Sequence, residues 1–124
     1  MDPTKDRAMA TRRKVLGDAH VDRAVAATTG FDRDFQALIT DAAWGHVWSR
    51  DTISLRERSM LTIALLAAQG ADQELEMHLK ATRRTGASPQ DVMDALLHVA
   101  LYAGIPRANH AIQIAKRVFA EDDT

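Results

Sequence analysis

Glu74 and His78 stand four residues apart in the stretch Glu74-Leu75-Glu76-Met77-His78. On a helix, side chains at that spacing share a face. A carboxylate beside an imidazole raises the imidazole pKa and fixes its tautomer, which prepares a histidine to give or take a proton near neutral pH. The same spacing also suits a solvated pair worth about 0.2–0.5 kcal/mol. A metal would need further ligands from elsewhere, and the five histidines include no HxxxH pair. Trp44 and Trp48 are likewise four apart, with Arg50 close behind. Two indoles one turn apart fit a core or subunit contact. With an arginine behind them they also fit the wall of a pocket for a flat organic anion, Arg50 holding a carboxylate.

Other polar residues carry two readings each. Glu57 follows Ser54 in Ser54-Leu55-Arg56-Glu57, so a capping box accounts for its carboxylate, and an inward-turned carboxylate is the functional alternative. Tyr102 is the only tyrosine and precedes Gly104-Ile105-Pro106 at a helix end. His98 lies in an apolar stretch and reads as a core residue with Tyr102 one turn on as its partner. Asn109-His110 is expected in the first turn of the last helix, where backbone N–H groups and the helix dipole favour a carboxylated small molecule. Glu76 and Lys80 read as a solvated ion pair.

Composition narrows the chemistry. The chain has 124 residues and no cysteine, so disulfides, thiolate nucleophiles, iron–sulfur clusters and CxxC redox chemistry are excluded. Sixteen Lys+Arg against 17 Asp+Glu give a formal net charge of −1, which offers no footprint for nucleic acid. There is no glycine-rich phosphate loop, no GxSxG elbow and no lysine in a Schiff-base setting. The longest nearly apolar run, Ala95–Ile105, is far short of the roughly 20 residues a membrane span needs. The first residues carry charge without an apolar core, so a secretory signal is not expected and the cytoplasm is.

These residues need helices to position them. Ala, Leu and Met dominate the apolar share and no alternating strand pattern occurs. The capping box at Ser54 predicts a helix to about Ala68, stopped at Gly70. Asp72 is expected to cap the next helix, which ends before Gly86. Ser88-Pro89 predicts an N-cap and first-turn proline for a helix to Ala103–Gly104. Pro106 opens a last helix to about Ala120. Upstream, helices are expected over Thr4–Leu16, Asp18–Thr28 and Asp32–Trp48, with Arg50–Ile53 a loop. That is an all-α bundle of about six to seven helices in a single domain over residues 1–124. The helix through Ala95–Leu101 is apolar nearly all round, and a chain this small cannot cover it fully. A second subunit is the expected cover, with the N-terminal helices of the same chain as the alternative.

Five stretches combine into a recognisable pattern: GDAHVDRA (Gly17–Ala24), AAWGHVWSR (Ala42–Arg50), RERSMLTIALLAA (Arg56–Ala68), ELEMHLKATRRTGAS (Glu74–Ser88) and HVALYAGIPRANHAIQIAK (His98–Lys116). The chain resembles the carboxymuconolactone decarboxylase family. The C-terminal half alone resembles the wider superfamily with the alkylhydroperoxidase-D-like fold. In the peroxidase-like members of that superfamily a helix glutamate, a CxxC pair and a histidine four residues after the second cysteine form the site. Here Glu57 and His78 are similar to that glutamate and histidine, while Ala71 and Glu74 stand at the cysteine positions. The Glu57 match needs a short insertion.

The resemblance implies a homo-oligomer, with a hexamer favoured, and no cofactor or metal. It implies a small dicarboxylate lactone as substrate, with neither nucleic acid nor membrane as partner. It also implies decarboxylation of a butenolide in aromatic catabolism. The ring carbonyl of such a substrate is its own electron sink. The catalytic group implied is His78 as proton donor, oriented by Glu57 or Glu74. Arg50 or Arg58 would hold the retained carboxylate, and Tyr102 or His78 would face the dienolate oxygen. Trp44 and Trp48 would give the departing carboxylate an apolar place, and His110 would be a further anion contact. Competing readings are another proton-transfer or lactone enzyme of the superfamily and a non-enzymatic helical subunit.

Overall fold

Aspartate, proline and glycine at the right places begin and end the first helix. In the computed structural model, which describes residues 2–122, α1 runs Pro3–Leu16. The Asp2 carboxylate accepts from the Thr4 N–H at 3.0 Å, and Pro3 fills the first turn without losing a needed donor. Gly17 ends the helix at φ 89°, a left-handed value, and passes directly into α2, Asp18–Ala27. Arg13 ties the two together through Asp18 at 3.2 Å and Asp22 at 2.8 Å.

The single helix expected over Asp32–Trp48 is two structures in series. α3 covers Arg33–Ile39, and Thr40–Trp48 continue as a π-helix. Phe35 and Leu38 of α3 are exposed, while Trp44, Gly45 and Trp48 of the π-helix are buried. α1 lies against the π-helix. Arg7 donates to the Gly45 carbonyl at 3.3 Å, and the Thr11 and Ser49 hydroxyls are 2.8 Å apart. A Cβ on Gly45 would stand 3.4 Å from that of Ala8, so a larger residue would push the two helices apart.

The chain divides between Ser54 and Leu55 into two compact units. The C-terminal one consists of α4 (Leu55–Gln69), α5 (Asp72–Thr85), α6 (Pro89–Tyr102) and α7 (Ile105–Asp122). Ile63, Leu75, Leu79, Leu96 and Val118 form the centre of its core. Each fully buried residue of this size contributes about 1.5–3 kcal/mol. Ser88 and Asp91 form a reciprocal capping box at the start of α6.

Several local expectations are corrected. Asp72 does not cap α5; Ala71 holds that position, and Asp72 is the first helical residue. α7 starts at Ile105, which moves Asn109 and His110 beyond its first turn, and it runs past Ala120 to Asp122. His98 is exposed rather than core, with its ring stacked on Tyr102 at a centroid distance of 6.3 Å. All regular structure among the described residues is helical, and no described helix is long and apolar enough to cross a membrane.

Candidate active site

Two packed helices of the C-terminal unit carry the strongest candidates. On α5, Leu75 and Leu79 anchor one face in the core, and the 3.6-residue repeat turns His78 inward beside them. His78 is only 7% exposed. Glu74, one turn earlier, is exposed, so the pair splits into a solvent-facing carboxylate and a buried imidazole. On α4, Arg58 is 8% exposed and Ser59 fully buried. The Ser59 hydroxyl has no hydrogen-bond partner among the described residues. Glu57 lies in the exposed first turn of α4.

A buried imidazole and a buried guanidinium on adjacent helices can bind a carboxylate and move a proton. The guanidinium offers a planar fork of donors. The imidazole can hand a proton to a bound group or take one from it. Ser59 adds a hydroxyl donor that sequence reasoning missed, since a serine inside a helix carries no signal of its own.

Other candidates of this unit stand elsewhere. Tyr102 is 82% exposed at the end of α6. The His110 ring meets Asp72, Nε2 to Oδ2 at 2.8 Å, so the protein itself supplies an anion to that histidine. Glu76 lies 3.5 Å from Lys80, as the spacing predicts, and also takes the Arg117 guanidinium at 2.8 Å. Arg117 chiefly holds the Glu76 carboxyl below the usual range.

The N-terminal unit holds the tryptophans. Trp44 and Trp48 are buried, with ring centroids 5.2 Å apart and planes tilted by 32°. Their four-residue spacing in a π-helix gives this offset contact. Arg50, just beyond the π-helix, lines a polar cleft of about 420 Å³ with Arg7, His46 and Asp51. Arg7 is a second residue that sequence reasoning did not bring forward. It comes from α1, and only the packing of α1 on the π-helix puts it in the same cleft as Arg50.

Sequence comparison adds an independent line. The model of the carboxymuconolactone decarboxylase family matches residues 33–117. A 4-carboxymuconolactone decarboxylase of Acinetobacter baylyi is 42% identical over 110 residues, covering 89% of this chain and 82% of the relative. A nitrosuccinic acid decarboxylase of Metarhizium robertsii is 35% identical over 112 residues, 90% of this chain and 78% of the relative. A 4-carboxymuconolactone decarboxylase of Pseudomonas putida is 50% identical over 40 residues, 32% of this chain and 83% of the relative.

Proposed function

The chain belongs to the carboxymuconolactone decarboxylase family, and from that premise we propose that it decarboxylates 4-carboxymuconolactone to 3-oxoadipate enol-lactone in aromatic, protocatechuate-type catabolism. It is a carboxy-lyase. The observation that carries the structural side of this reading is the burial of His78 and Arg58 on adjacent helices. The family match runs over residues 33–117, across the division at Ser54, which supports treating that stretch as one functional domain.

The chemistry asks little of the protein beyond placement. The substrate is a butenolide with two carboxylates. When the ring carboxylate leaves as carbon dioxide, its electron pair moves through the C=C bond into the lactone carbonyl. A dienolate results, and one proton at the carbon α to the carbonyl completes the enol-lactone. The substrate is thus its own electron sink, and a cofactor has no step to perform. In our reading Arg58 or Arg50 binds the retained carboxylate, and His78 delivers the proton. Glu57 or Glu74 orients His78. Tyr102 or His78 donates to the dienolate oxygen, and Trp44 and Trp48 give the departing carboxylate an apolar wall.

Two of these roles ask for a second copy of the chain. Tyr102 cannot donate to a substrate in a dry site while open to water, and Glu57 and Glu74 are similarly exposed. Leu61, Leu65, Leu97, Leu101 and Ile105 are exposed as well, an apolar area that assembly would cover. A homo-oligomer, with a hexamer favoured, and a cytoplasmic enzyme complete the reading.

Incubation of the purified protein with 4-carboxymuconolactone tests it. Loss of the lactone's ultraviolet absorbance with one equivalent of carbon dioxide released is the expected result. Nitrosuccinate is the informative parallel substrate, because a nitro group is also a built-in sink and a nitrosuccinic acid decarboxylase is among the relatives. Turnover of nitrosuccinate alone would move the substrate assignment, and turnover of neither would leave another proton-transfer or lactone enzyme of the superfamily, or a non-enzymatic subunit.

A further inference from the structure

A second cleft, of about 590 Å³ and open to solvent, lies within the N-terminal unit, where it is lined by α1, α2, α3 and the start of the π-helix. It shares no lining residue with the Arg50 cleft. Its volume is in the usual range for small-molecule sites, about 300–1,000 Å³. Met9, Val25 and Ala37 supply apolar wall, and Thr28, Gln36 and Thr40 supply neutral polar groups.

Arg12 is the unusual member of the lining. It is only 7% exposed, and its Nε is buried with no hydrogen-bond partner among the described residues. Its Nη1 reaches the Thr40 hydroxyl at a long 3.4 Å. Burial and the neighbouring Arg13 both push its pKa down, and no carboxylate opposes them. A buried guanidinium without an anion is costly, and a chain that retains one has a group for an anion to complete. Lys5, Arg12 and Arg33 bring three positive charges to the lining, and Asp6 and Asp41 bring two negative ones, which leaves one. One excess charge beside an apolar wall matches one carboxylate on an apolar body better than a phosphate.

We propose that this cavity is a binding site for a small monocarboxylate, its carboxylate on the Arg12 guanidinium and its apolar body against Met9, Val25 and Ala37. The site shares no residue with those assigned to decarboxylation.

Titration of the full-length protein with benzoate, followed by calorimetry and by backbone amide shifts, tests this. Saturable binding of one benzoate per chain is expected, with shifts at Met9, Thr28 and Ala37. Uncharged benzamide should bind about tenfold more weakly, and Arg12→Gln should weaken benzoate by a similar factor. Lys116→Gln, an exposed position on α7 with no part in either site, should leave benzoate affinity unchanged. Equal binding of benzamide, full affinity in Arg12→Gln, or shifts confined to Gly45–Thr52 would each overturn the proposal. Should Arg12→Gln fail to fold, Arg33→Gln at the exposed rim replaces it. A two- to threefold loss is then expected, and unchanged affinity together with unchanged benzamide discrimination rejects the site.

Discussion

The guanidinium of Arg56 on α4 holds the carboxylate of Asp91 on α6 at two points, Nε to Oδ2 at 2.7 Å and Nη2 to Oδ1 at 2.6 Å. The same carboxylate accepts from the Ser88 N–H at 2.9 Å, so one residue closes the α6 capping box and clamps α6 to α4. Arg56 first, then the Ser88 N–H, hold the Asp91 carboxyl far below the usual carboxylate range. The folded state therefore binds this proton less readily than the unfolded one. The stabilisation is present in full above the unfolded pKa of about 3.9 and is lost as pH falls through the lower folded value. Asp91→Asn should melt below the wild type near neutral pH, and the gap in melting temperature should narrow progressively below about pH 4. A gap that stays constant with pH would show that Asp91 acts by shape alone.

His78 separates the proposed chemistry from mere burial. His78→Gln keeps a polar side chain of similar size but cannot carry the proton. It should lower kcat by about 10²–10⁴ while the circular dichroism spectrum is unchanged. Glu57→Gln and Glu74→Gln, made separately, then identify the orienting carboxylate: the one that matters shifts the pH profile of kcat, and the other does not. Near wild-type decarboxylation by His78→Gln or His78→Ala across pH 6–8 would remove His78 as the donor.

Helix ends were legible in the sequence because they depend on one or two residues. Ser88-Pro89 opens α6, and Gly17, Gly70 and Gly86 follow α1, α4 and α5 at positive φ. The π-helix was not legible, since Thr40–Trp48 carries the same apolar spacing an α-helix would. Within that wound segment Trp44, Gly45 and Trp48 are the buried residues. Among site residues, spacing placed Glu74 and His78 on one helix but could not tell that only His78 is buried. The burial of Arg12, with its Nε unpartnered among the described residues, could not be read at all, because an arginine in Thr11-Arg12-Arg13-Lys14 reads as an ordinary solvated charge.

Gly70 should resist substitution for two separable reasons. Its φ of 73° is left-handed, and a Cβ there would strike the Arg107 guanidinium. The backbone alone costs a non-glycine residue about 1–2 kcal/mol. Gly70→Ala should therefore lower the melting temperature by about 3–6 °C per kcal/mol lost. The Arg107 guanidinium is the free end of an exposed side chain and can swing aside, so adding Arg107→Ala should recover little of the loss. Full recovery would mean that the turn tolerates alanine and only the collision matters.

Assembly should depend on leucines that contribute nothing to the fold of a single chain. Leu61 and Leu65 on α4, and Leu97 and Leu101 on α6, each form an i,i+4 pair that is more than half exposed. Burying such a side chain at a subunit contact contributes up to about 1.5–3 kcal/mol, whereas a lysine there would have to be desolvated. Leu101→Lys and Leu65→Lys should each shift the sedimenting mass toward that of the 13.7 kDa chain while retaining the helical spectrum. Leu79→Ala, at a fully buried core position, should do the reverse, costing about 2–5 kcal/mol of stability without acting on any contact surface. A wild-type protein that sediments as a single chain would defeat the assembly reading. So would a Leu65→Lys, Leu101→Lys double variant that keeps its full mass.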